Sequence, residues 1–135
     1  MAETQHTAER PLSPHLSIYS PLINMVMSIL HRITGGALYF GTLLLAWWLN
    51  SAQGPNGYGK FQAFAGSWIG QLILFGYTWA LIHHALGGIR HLIWDTGHGL
   101  TPAEREWLVR ANLAGSIVLT ILLWVIGGLL MGGLR

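Results

Sequence analysis

Three long apolar stretches, separated by polar intervals rich in glycine and proline, set the pattern of this chain. The first, PLINMVMSILHRITGGALYFGTLLLAWWLN, runs from Pro21 to Asn50. As a helix it would be about 45 Å long, more than a hydrocarbon core of about 30 Å requires. Ser20 before Pro21 reads as an N-cap followed by proline in the first turn, so a helix is predicted to begin there. Trp47 and Trp48 at its far end read as an interfacial aromatic belt. The interval Ser51 to Lys60, SAQGPNGYGK, is turn-rich, with a short surface helix expected after it through Phe64. A second span follows, ended by Gly97 and Gly99. Thr101, Pro102 and Glu104 then form a capping box with proline at the first helical position, which starts a third helix. Its first turns, AEREWLVR, are amphipathic, and Asn112 to Met131 supplies enough apolar residues for a crossing.

The predicted fold class is therefore all-α: an integral membrane protein with three transmembrane helices over 21–50, 66–95 and 110–133. These form one transmembrane domain, 21–135, behind a polar, proline-punctuated segment, 1–20, expected to run irregularly along the membrane surface. That segment is no signal peptide, since no basic stretch precedes an apolar one. Composition agrees: 52% of the 135 residues are hydrophobic and only 9% charged, which leaves room for about three spans and little else. The absence of cysteine rules out disulfides, thiolate zinc sites and cysteine-held iron–sulfur clusters in this chain, so a redox centre here must use histidine. Seven basic residues, dispersed along the chain, make no nucleic-acid surface.

Candidate chemistry concentrates at the end of the second span, in LIHHALGGIRHLIWD, Leu81 to Asp95. On a helix His84, Gly88, His91 and Asp95 share one narrow stripe, with His83, Gly87, Arg90 and Trp94 on a second stripe beside it. His84 would lie about 10 Å deeper in the bilayer than His91 and about 16 Å deeper than Asp95. Ionisable residues at such depth usually mark a function. A flat apolar macrocycle with an anionic edge suits the arrangement: haem b needs an axial nitrogen deep in the apolar zone and cations near the interface for its propionates. His84 can supply the first, Arg90 and His91 the second. The same residues also suit a plainer role, His84 as a hydrogen-bonding partner for another helix and the glycine pair as a packing feature.

In the first span Ser28 and Arg32 stand one above the other, with His31 beside them. Arg32 could simply snorkel to lipid headgroups, although three polar residues are more than an anchor requires. The third span holds no ionisable residue and reads as scaffold. With three crossings Arg10, Arg32, Arg90, Arg105 and Arg110 fall on the amino-terminal side, against Lys60 and Arg135 opposite, which places the amino terminus in the cytoplasm. Both polar clusters then open on the same face.

The segments RPLSPHLSIY, SILHRITG and HHALGGIRHLIWD resemble the cytochrome b membrane-anchor subunit of succinate dehydrogenase, respiratory complex II, over most of the chain from Arg10 to the third span. That resemblance implies a three-helix subunit in a bundle completed by a second small membrane subunit. Haem b would lie between the two, with the other axial histidine from the partner, and a ubiquinone site beneath the iron–sulfur subunit, which in turn carries the flavoprotein subunit. It implies His84 as the axial ligand of the haem iron, Ser28 and Arg32 at the quinone, and His31 and His91, with Arg32, near the propionates. The doublet His83-His84 leaves a second candidate ligand, and alignment on GIRH favours His84. The implied location is the bacterial inner membrane, or the mitochondrial inner membrane in a eukaryote. Two other classes stand beside this: a cofactor-free anchor or assembly scaffold for a peripheral dehydrogenase, and a self-contained dihaem carrier, for which the first and third spans offer no further histidine at depth.

Overall fold

In a computed structural model, residues 11, 13, 15 and 18–132 are described. Most of the polar amino-terminal segment, and with it Arg10, lies outside them, as does Arg135. Four helices follow in order: α1 (Ile23–Ser51), α2 (Pro55–Gly66), α3 (Trp68–Asp95) and α4 (Pro102–Gly132). Three of them, α1, α3 and α4, are long and apolar enough to cross a membrane. Successive crossings are antiparallel, so the start of α1, the end of α3 and the start of α4 meet at one end, and α2 packs on α1 and α3 at the other.

The bundle is inverted relative to a water-soluble one. Large apolar side chains such as Ile33, Phe40, Leu43, Leu72, Leu92 and Leu129 face outward. The interior is small and polar: Thr34, His83, Arg90, Asn112, Ser116 and Thr120 are buried, with Met27, Ala80 and Val109 as the buried apolar members. Lipid is as apolar as leucine, so burying leucine gains little there, whereas an unpaired polar group in lipid is costly. Serine and threonine hydroxyls turn back onto their own helices, as Thr34 Oγ1 does to the Leu30 carbonyl at 3.0 Å and Thr120 Oγ1 to the Ser116 carbonyl at 2.7 Å.

Helix ends follow local chemistry except at the first. The residue before α1 is Leu22, extended at φ −72° and ψ 151° with no side-chain cap, so the helix starts two residues after the proline rather than on it. Its free amides lie at an exposed end, where solvent can satisfy them. Ser67 caps α3, its Oγ accepting from the Gly70 amide at 3.1 Å. The capping box of α4 forms as a reciprocal pair: the Glu104 carboxylate accepts from the Thr101 amide at 3.1 Å, and Thr101 Oγ1 accepts from the Glu104 amide at 3.4 Å. Between α3 and α4 the chain reverses through Gly97 and Gly99, whose φ values of 82° and 73° are left-handed. The Trp94 indole fastens this turn by donating to the Gly99 carbonyl at 3.1 Å.

Candidate functional site

The site is built where α1 crosses α3, and two glycines make the crossing possible. A side chain on Gly35 would bring its Cβ within 2.9 Å of His84 Cε1, and one on Gly87 would put its Cβ 2.8 Å from His31 Cε1. Each helix thus sends a histidine into the gap left by a glycine of the other. The two imidazoles end up stacked, centroids 4.0 Å apart and planes within 3°. The neighbours Gly36 and Gly88 face open space instead. Within each glycine pair one residue therefore serves the crossing and the other leaves the backbone uncovered.

His84 is half-buried in this gap. Its Nδ1 lies 3.1 Å from the His31 carbonyl oxygen and 3.4 Å from Thr34 Oγ1. A carbonyl can only accept, so Nδ1 carries the ring proton and Nε2 is left with a lone pair. The stacked His31 covers the face of the ring, not its Nε2 edge. One nitrogen tied to a backbone carbonyl and the other without a partner among the described residues is an arrangement that can ligate a metal. Among the described residues no three His, Asp or Glu side chains converge on a common ion.

The remaining expected residues fall into three settings. His91 is exposed two turns further along the same stripe of α3, its ring 5.4 Å from that of His31 and 5.2 Å from that of Trp94. Ser28 and Arg32 are both exposed on the outer face of α1, on the same membrane end as His91. Arg90 points the other way: it is only 5% exposed, its guanidinium 5.0 Å from the centre of the Trp94 ring, and neither Nε nor Nη1 has a partner among the described residues.

His83, the other member of the doublet, is 1% exposed and sits between α3 and α4. Its Nδ1 lies 3.2 Å from Ser116 Oγ, and Asn112 Nδ2 donates to its carbonyl at 3.4 Å. Ser116 gives its own proton to the Leu113 carbonyl at 2.8 Å, and the Asn112 amide nitrogen also lies 3.4 Å from His83 Nδ1. The third span, expected to be scaffold, carries a polar packing stripe. Asn112, Ser116 and Thr120 recur every four residues along its buried side, and that polar stripe was the available signal.

Most of the chain is similar to known proteins of one family. Residues 6–125 match the succinate dehydrogenase/fumarate reductase transmembrane subunit family. The succinate dehydrogenase cytochrome b556 subunit of Paracoccus denitrificans is 42% identical over 118 residues, covering 87% of this chain and 91% of the relative. That of Rickettsia felis is 43% identical over 117 residues, covering 87% and 92%. The mitochondrial cytochrome b560 subunit of Bos taurus is 39% identical over 121 residues, covering 86% of this chain and 68% of the bovine one. A helical membrane bundle with this motif spacing and these relatives belongs to the succinate dehydrogenase/fumarate reductase transmembrane subunits, as a cytochrome b anchor subunit of complex II.

Proposed function

We propose that this subunit holds haem b through His84, shares it with a second membrane subunit, and forms part of a ubiquinone-reducing site with Ser28 and Arg32. The observation that carries the haem reading is the state of His84: Nδ1–H is engaged by the His31 carbonyl, and Nε2 is unclaimed among the described residues. A haem iron has four ligands from its macrocycle and asks a protein for only one or two more, which fits a chain whose described residues hold no cluster of three metal-binding side chains. When bound, the haem supplies one-electron redox chemistry. The chain's own part is to hold Nε2 in place, keep the surroundings apolar, and present His31, Arg32 and His91 at the interface end for the propionates. Arg90, expected on the propionate side, is buried on the inner side of α3 and would act on them only through its charge. His83 points about 100° away from His84 and is committed to Ser116, which supports a second axial histidine from the partner.

At the quinone, reduction places negative charge on carbonyl oxygens before protons arrive. The permanent cation of Arg32 and the hydroxyl of Ser28, one turn apart on an exposed face, can stabilise that charge, a role in which a single donor is worth about 3 kcal/mol. Arg32 cannot be the proton source, since a guanidinium does not deprotonate at working pH. Protons come from water or a titratable neighbour. The iron–sulfur and flavoprotein subunits would dock at this end of the bundle, which the distribution of arginines assigns to the cytoplasmic face of the inner membrane.

Two measurements on the purified complex test the reading. His84→Ala is expected to abolish the b-type reduced-minus-oxidised spectrum, and its survival would refute His84 as ligand. Ser28→Ala and Arg32→Leu are expected to retain haem and succinate oxidation with a soluble artificial acceptor but to lose quinone reduction selectively. Parent-like quinone rates in both would remove the site.

A further inference from the structure

We infer that Thr34 is a positioning and tuning residue for the axial histidine, acting through a shared proton at His84 Nδ1. The inference rests on the assignment of His84 as haem ligand. Thr34 is 2% exposed and faces α3 from the turn of α1 that follows His31. Its hydroxyl has one proton, which goes back to a carbonyl of its own helix, Leu30 at 3.0 Å or His31 at 2.9 Å. The oxygen therefore keeps lone pairs for an outside donor, and His84 Nδ1 lies 3.4 Å away. The same Nδ1–H reaches the His31 carbonyl at 3.1 Å. One ring proton is thus shared between a strong backbone acceptor and a weaker side-chain one, a three-centre bond closed by a residue whose other polar contacts are to carbonyls of its own helix.

Two consequences distinguish this from packing. First, two acceptors at Nδ1 withdraw the ring proton further, give the imidazole more anionic character and make Nε2 a stronger donor, which favours the oxidised metal. Second, a donation from Thr34 to the His31 carbonyl weakens that carbonyl's own hold on Nδ1–H, whereas a donation to Leu30 leaves it intact. The hydroxyl rotor thereby sets how strongly the ring is tied. With the hydroxyl proton on Leu30, removing the hydroxyl takes one acceptor from Nδ1 and should raise the haem midpoint potential.

The test is a pair of substitutions in the assembled complex. Thr34→Val keeps the shape and deletes the hydroxyl; Thr34→Ser keeps the hydroxyl and deletes the methyl. The readouts are the haem midpoint potential and the g-values of the oxidised low-spin haem in electron paramagnetic resonance. Loss of one hydrogen bond to the ligand should shift the Thr34→Val equilibrium about fivefold toward the reduced haem at fixed potential, with altered g-values. Thr34→Ser should stay with the parent. Equal shifts in both variants would assign the effect to packing, and a parent-like Thr34→Val with full haem content would overturn the inference outright. Should Thr34→Val assemble without haem, Thr34→Ala replaces it in the same comparison with the same expected and refuting results. His84→Ala is run alongside: a retained b-type spectrum there would sink the ligand assignment itself, a result distinct from any produced at Thr34.

Discussion

Replacing Gly87 by alanine isolates the interlock between α1 and α3. The added methyl would sit 2.8 Å from His31 Cε1 and closer still to Nδ1, and 3.5 Å from Asn112 Oδ1. His31 cannot simply swing aside, because its other face is stacked on His84 at 4.0 Å. Either the stack breaks or the helices separate, and overpacking of this kind costs about 1–3 kcal/mol. Alanine also gains about 1 kcal/mol over glycine in a helix, which would mask part of the effect. Gly76→Ala supplies the correction, since Gly76 lies on the same helix and its Cβ would meet nothing within 4 Å. The propensity gain is common to both variants, so their difference reports the clash alone. The chain has no cysteine, so a single Ser116→Cys reporter, at a position 0% exposed, reads the opening of this subunit within the detergent-solubilised complex by its labelling rate. In the Gly87→Ala background labelling should be about 5–150 times faster than in Gly76→Ala, the rate equivalent of 1–3 kcal/mol. Equal rates would show that His31 yields without cost and that the interlock is not a structural element.

Two further outcomes follow from the geometry. His83→Leu, which removes only an imidazole held by Ser116, should leave the haem spectrum of the complex unchanged, and its loss would place His83 in the cofactor site. Thr101→Ala should loosen the first turn of α4 by about 1 kcal/mol through loss of the reciprocal cap, seen as faster amide hydrogen exchange at Glu104; unchanged exchange there would mean that the capping box contributes nothing.

What could be read from the chain itself was whatever depends on local chemistry and on the period of a single helix. Three spans, the proline-led start of α4 and its Thr101–Glu104 box, and the glycines after α3 all belong to that class. Two features escaped for physical reasons. Three glycines between Gly54 and Gly59 argue for a loop, yet α2 already begins at Pro55. Tertiary contacts outweigh the propensity there: Phe61 and Phe64 pack on Trp47 with centroids 5.2 and 5.0 Å away, and a Cβ on Gly57 would come within 3.2 Å of the Ser51 carbonyl oxygen. The stripe of Asn112, Ser116 and Thr120 was visible in the sequence, but a neutral polar stripe declares no partner. Only the packing of α4 on α3 reveals that His83 is what it meets.

The histidine doublet shows how a one-residue offset divides structural from chemical work. Adjacent residues on a helix point about 100° apart, so a helix packed on neighbours along one side cannot bury both. His83, Gly87 and Arg90 take the inner side of α3 and are all buried; His84, Gly88 and His91 take the side that stays partly open. Turning α3 to present His83 outward would carry the buried Arg90 out of the bundle interior with it. It would also strip Ser116 and Asn112 of their partner. The buried face therefore fixes the rotation of α3, and that rotation gives His84 its place against the His31 carbonyl. The polar interior between α3 and α4 is in this sense what leaves His84, rather than His83, open for the proposed ligand role.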